Sequence, residues 1–245
     1  MLAAFYLLLI LLYLYFLYRQ ETHALCLKNF VIGYWLFNLG LIIFLFQTTS
    51  IMPFIFSWNL FLAIIPLFCV RWLDYLITKQ KPVIYLILVS LLWLFFFPNA
   101  IYVVTDFIHL QNNDFYDFIP SVNYLPSQTI YSQQIQDWYV LIDLIGLYAL
   151  GTYAGFASLE RMLQLLQVRF HKLSARIVVP IISLLSGIGI YIGRFLRFNS
   201  WDIFNPVTIV KELLLNLNAF GYHFIALFTI YTLFGYLFYT LIKRH

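Results

Sequence analysis

Seven long apolar runs constrain this chain more than any motif in it. They cover roughly Met1–Tyr18, Phe30–Phe46, Ile51–Val70, Val83–Val104, Tyr139–Glu160, Arg176–Phe198 and Tyr222–Ile242. A helix needs about 20 apolar residues to cross a hydrocarbon core about 30 Å thick. The chain is 63% hydrophobic and only 10% charged, whereas a soluble domain carries about 25% charge. No water-soluble fold hides that much apolar surface. The expected architecture is all-α, a polytopic membrane helical bundle of about seven transmembrane helices. It forms a single integral membrane domain over residues 1–245, placed in the cell membrane as a multi-pass protein. The first run has no positive region before it and is longer than a signal-peptide core, so it is expected to be a span.

The basic residues then orient the bundle. With the N-terminus outside and seven crossings, 11 of the 14 Lys and Arg fall on the cytoplasmic face, among them Arg71, Lys79, Lys81, Arg161, Arg169 and Lys243. Only Arg194, Arg197 and Lys211 fall outside. Lys and Arg in short loops favour the cytoplasmic side, so the expected orientation is N-terminus outside and C-terminus inside. The net charge of +4 is spread over several short loops. It suits anionic lipid headgroups and excludes a continuous nucleic-acid surface. Membrane lipids are therefore the expected partners, and no nucleic acid is.

Two external connections are long. Residues 106–138 hold four acids, no base, and Pro120 and Pro126, and read as a small cap or ordered loop. Residues 199–221 contain Asn205 followed by Pro206, a helix cap and first-turn pair. The helix that follows is too short and polar to span, and is expected to lie at the interface.

Polar residues converge on the external membrane level. Pro98 and Asn99 break the fourth run. Beyond them Asp106 and His109 are three apart, a spacing that places both on one helical face. An acid–imidazole pair suits proton transfer, so these two are the candidate catalytic residues. Arg194 and Arg197 also share a face, and topology does not account for them. Arg forks suit anionic groups, so Arg194, Arg197, Asp202, Asp143 and His223 are candidate substrate-binding residues. Asp143 lies more than a turn inside an apolar helix, and Arg194 or Arg197 is its expected ion-pair partner. Against these functional readings stands a simpler one, in which the same groups form interhelical polar contacts that hold the bundle.

No metal and no cofactor are expected. Two Arg beside the acids weaken a divalent site, and Cys26 and Cys69 stand alone. Nucleotide-binding, zincin, haem-attachment and serine-hydrolase motifs are absent from the sequence, as is a lysine in the seventh run for a retinal Schiff base. Gly151 and Gly155, and likewise Gly189 and Gly193, form small-residue faces suited to close helix packing, with the fifth and sixth spans as mutual partners.

The segments FFPNAIYVVTDFIHL (96–110), GRFLRFNSWDIFNP (193–206) and WNLFLAIIPLF (58–68) resemble signature stretches of a bacterial multi-pass membrane family, the domain of unknown function thirteen sixty-one. The matching positions are Asn59, Pro66, Pro98, Asn99, Asp106, His109, Arg194, Arg197, Asn199, Trp201, Asp202 and Pro206. The resemblance implies an integral membrane protein and no established biochemical role. Three functions stay open: transport of a small solute, an enzyme with an external Asp/His/Arg site acting on an anionic or lipid-linked substrate, and a structural or assembly subunit.

Overall fold

A computed structural model describes residues 8, 11, 24–44, 51–113, 115–120, 127–169, 175–196, 198 and 205–243. Among these are seven α-helices: α1 (Ala24–Phe44), α2 (Met52–Thr78), α3 (Val83–Tyr102), α4 (Ile135–Arg169), α5 (Ala175–Phe195), α6 (Pro206–Asn216) and α7 (Ala219–Lys243). A 3₁₀ helix, η1 (Val103–Asn112), continues α3, and strands β1 (Tyr116–Ile119) and β2 (Gln128–Tyr131) follow it.

Five segments are long and apolar enough to cross a membrane: Met52–Thr78, Val83–Gln111, Ile135–Gln167, Ala175–Phe195 and Ala219–Lys243. They correspond to the third to seventh apolar runs. The second run corresponds to α1, which includes a shorter apolar helix at Asn29–Ile43. Of the first run only residues 8 and 11 are described; the sequence also places a tight turn at residues 47–50, between the second and third runs, and it lies outside the described residues.

Local chemistry sets the helix boundaries. Pro53 sits in the first turn of α2, where a missing amide hydrogen costs nothing. Pro82 directly precedes α3, and the Tyr85 amide donates to its carbonyl at 3.0 Å. Pro98 lies inside α3, and the Asn99 side-chain amide donates to the Phe96 carbonyl at 3.1 Å. One turn later the α-helix tightens to 3₁₀. Asn205 caps α6 by accepting from the Thr208 amide, with Pro206 in the first turn. This is the short helix that the Asn-Pro pair predicts.

The chain divides into two compact units. The first holds residues 1–60 and 103–150, and the second holds residues 61–102 and 151–245. In the first unit, α1 buries Val31, Tyr34, Trp35, Asn38 and Leu41. Their three- and four-residue spacing marks one helical face. The Trp35 indole N–H donates to the Ser57 carbonyl at 3.4 Å. The acidic loop folds into an antiparallel hairpin in which Tyr116 pairs with Tyr131 and Ile119 with Gln128. Tyr, Phe, Ile and Thr in these strands have high β-propensity, and the hairpin refines the expected ordered loop.

The second unit is packed through its glycines. A Cβ on Gly155 of α4 would come within 2.6 Å of the Ala100 Cβ on α3, and one on Gly189 of α5 within 2.8 Å of Pro98 on α3. The Trp93 indole N–H donates to Ser158 Oγ at 3.2 Å, which ties α3 to α4 a second time. A Cβ on Gly187 would fall 2.7 Å from the Ile225 carbonyl of α7. Gly193 faces open space. Gly155 on α4 and Gly189 on α5 therefore each meet α3, in place of the mutual pairing expected from their spacing. Cys69 is a buried free thiol.

Candidate functional site

Among the described residues of the first unit are three buried aspartates, and an asparagine amide answers each of them. Asp143, the ninth residue of α4, is 2% exposed, and Asn38, on α1, is 0% exposed. Asn38 Nδ2 donates to Asp143 Oδ1 at 2.8 Å across 105 residues of sequence. The same Nδ2 donates to the Tyr34 carbonyl at 3.1 Å. Tyr34 is a further polar neighbour of the Asp143 carboxylate. Its ring also fills the space beside Gly146, where a Cβ would lie 3.0 Å from two ring carbons. A side chain at 146 would therefore displace the residue that supports Asp143. Asn38 Oδ1 is buried and has no hydrogen-bond partner among the described residues.

Asp106, 1% exposed, sits on η1 and accepts from Asn59 Nδ2 at 2.7 Å. In a 3₁₀ helix residues three apart eclipse one another, so His109 stands one turn beyond Asp106 on the same face. Its ring lies 6.1 Å from that of Phe56. Phe56 and Asn59 are themselves three apart on α2. Two successive rungs therefore join η1 to α2, a polar rung at Asp106 and an aromatic one at His109. The neighbouring Thr105 hydroxyl is buried without a partner.

Asp137, in the first turn of α4, fastens the hairpin. One carboxylate oxygen accepts from Asn113 Nδ2 at 2.9 Å, before β1. The other accepts from the Ser132 hydroxyl at 2.6 Å, after β2. The Trp138 indole donates to the Ser132 carbonyl at 3.1 Å, and Phe115 packs edge-on against Trp138 at 5.8 Å. Asp137 thus holds both ends of the hairpin to the start of α4.

The remaining candidates belong to the second unit or lie outside the described residues. Arg194, in the last turn of α5, donates to the Tyr102 hydroxyl at 3.0 Å. Its guanidinium lies 5.8 Å from the centre of the same ring. His223 is exposed, and its Nδ1 lies 2.6 Å from the Ala219 carbonyl of its own helix. Arg197 and Asp202 are outside the described residues. Among the described residues of the first unit, Asn38 is the side chain that donates to Asp143.

The ion pairs of the second unit lie apart from Arg194. Arg161 donates to both oxygens of Asp74, at 2.9 and 2.6 Å, and Lys243 pairs with Glu160. A cavity of about 320 Å³ borders that second pair and includes Gln164, Gln167, Thr240 and Ala175. Ala175 begins α5 and Arg194 is in its last turn. At 1.5 Å per residue the two lie about 28 Å apart along the axis, close to the thickness of a hydrocarbon core.

Sequence reasoning identified the aspartates and missed their partners. Asn38 is the one amide in the run Phe30–Phe46. A lone amide in a membrane helix is a common packing device, and it carried no further signal. Tyr102 and Ser132 were hidden in the same way among many aromatic and loop residues.

Long apolar helices with carboxylates buried among them define a polytopic integral membrane protein. The multi-pass location in the cell membrane follows from the helices and from the family. The chain belongs to the family described as Protein of unknown function (DUF1361), whose model matches residues 58–234. No curated protein matches the chain, and no solved structure does.

Proposed function

We propose that this protein moves a small cation, a proton or an alkali ion, across the membrane, and that the carboxylate–amide network of the first unit handles it. One observation carries the proposal: Asp143 is buried inside a membrane-length helix and is answered by Asn38, whose Oδ1 has no partner among the described residues. Ionisable residues within membrane spans mark ion pathways and proton relays. Residues 29–60 and 103–150 contain five aspartates and no Lys or Arg. Carboxylate and amide oxygens attract hard cations and repel anions. The helix broken at Pro98 and continued as 3₁₀ is a feature that transporters use near their sites. The Lys/Arg distribution supports an outside N-terminus and an inside C-terminus for this transporter.

A membrane enzyme using Asp106 and His109 is the second reading. Their eclipsed placement on η1 favours it. The engagement of Asp106 by Asn59, with His109 beside Phe56, favours transport. In a structural subunit the same contacts would only hold the unit together.

Infrared difference spectroscopy of the reconstituted protein tests the cation reading. Exchanging sodium for choline, or stepping the pH, is expected to change a carboxyl band that Asp143→Asn removes. The amide that Asp143→Asn introduces keeps an oxygen acceptor for Asn38, so the fold is expected to persist. A spectrum without a carboxyl response to either exchange would reject the cation reading and move the structural one ahead.

A further inference from the structure

Arg194 is a half-buried cation with a neutral partner. A guanidinium offers five N–H donors, and Tyr102 takes one of them at 3.0 Å. The cation also lies over the Tyr102 ring, 5.8 Å from its centre. This contact attracts the cation without neutralising it. Among the described residues no carboxylate accompanies Arg194, and the ion pairs of this unit are Arg161–Asp74 and Lys243–Glu160. The Tyr102 oxygen accepts from Arg194, so its own O–H is left to donate. Among the described residues, no atom lies within 4 Å of a Cβ built on the preceding Gly193. The result is a fork of N–H donors with a phenol O–H next to it, at the end of a membrane-length helix.

We infer that Arg194 and Tyr102 form a binding site for a phosphate-type oxyanion. Two guanidinium N–H groups match two phosphate oxygens in the planar bidentate geometry that lysine cannot reproduce. The Tyr102 hydroxyl adds a third donor, and its ring holds the fork in place. The anion is either the headgroup phosphate of a lipid or a phosphate carried by a soluble molecule, since both present the same oxygens. The site is independent of the cation network and stands or falls separately from it.

Thermal unfolding of the full chain in phosphate-free maltoside micelles tests the site. Titration with inorganic phosphate forms one arm. Addition of phosphatidylglycerol at constant ionic strength forms the other. In the wild type, stabilisation by phosphate identifies a soluble ligand, and stabilisation by phosphatidylglycerol alone identifies a headgroup. Arg194→Gln is expected to weaken the response at least about tenfold, as loss of a charged hydrogen-bonding partner does. Arg194→Lys is expected to restore only part of it. Tyr102→Phe keeps the ring and removes the hydroxyl, and is expected to weaken the response about threefold, the scale of one neutral hydrogen bond. Should Arg194→Gln not fold, Arg194→Lys and Tyr102→Phe decide the matter. A wild type that responds to neither probe, or variants that respond as the wild type does, would overturn the assignment.

Discussion

Replacing Asn38 with Ala removes the donor to a carboxylate that is 2% exposed. The lost bond is 2.8 Å long. Hydrogen bonds to charged groups contribute about 1.5–3 kcal/mol in soluble proteins. Between membrane helices the measured coupling averages about 0.6 and reaches about 1.7 kcal/mol. Complete burial of Asn38 and the distance to Asp143 place this pair at the upper membrane value, about 1.7 kcal/mol. For a chain of this length each kcal/mol shifts the melting temperature by about 2–4 °C, so Asn38→Ala is expected to lower it by about 3–7 °C. Asn38 also donates to the Tyr34 carbonyl within its own helix, so a single variant overstates the pair. The double-mutant cycle of Asn38→Ala and Asp143→Ala, followed by reversible unfolding in bicelles, isolates it. A coupling near 1.7 kcal/mol is expected, the upper membrane value of about 1.7 kcal/mol. A value below about 0.5 kcal/mol, the ordinary error of additivity, would show that the two side chains do not support each other.

Three further outcomes follow from the packing and the charges. Gly155→Ala is expected to destabilise by about 1–3 kcal/mol through overpacking against Ala100, with Ala100→Gly restoring most of the loss in the same unfolding assay. Gly193→Ala meets open space and is expected to stabilise α5 by up to about 1 kcal/mol, from helix propensity alone. Asp74→Asn removes an exposed ion pair to Arg161, 46% and 33% exposed at the Arg161 and Asp74 side chains, and is expected to cost no more than about 1 kcal/mol, less at high salt.

The membrane architecture is legible in the sequence because apolar length and composition decide it locally. The third to seventh apolar runs each match a membrane-length helix, and the Asn205–Pro206 pair marks the start of α6. The hairpin was less legible. Its strands are four residues each, and all eight residues are exposed, so burial imposed no alternation of apolar and polar residues. The aspartates could be found because a carboxylate in an apolar run is anomalous. Their partners could not, because periodicity gives a residue's depth in the membrane and not its direction around the bundle. Asn38 and Asp143 illustrate the difference, since nothing in either local segment points to the other. The glycines show the same limit. Gly187 and Gly189 are two residues apart on α5, yet one meets α7 and the other meets α3. Spacing predicted close approach, and the surrounding helices chose the partner.

The most direct test of the cation reading is charge movement in proteoliposomes under sodium, potassium and proton gradients, comparing the wild type with Asp143→Asn. At least one gradient is expected to drive charge through the wild type, and Asp143→Asn is expected to abolish that current while its melting temperature stays close to that of the wild type. No current in the wild type under any of the three gradients, or an equal current in the variant, would contradict the proposal that the buried Asp143–Asn38 pair handles a transported cation.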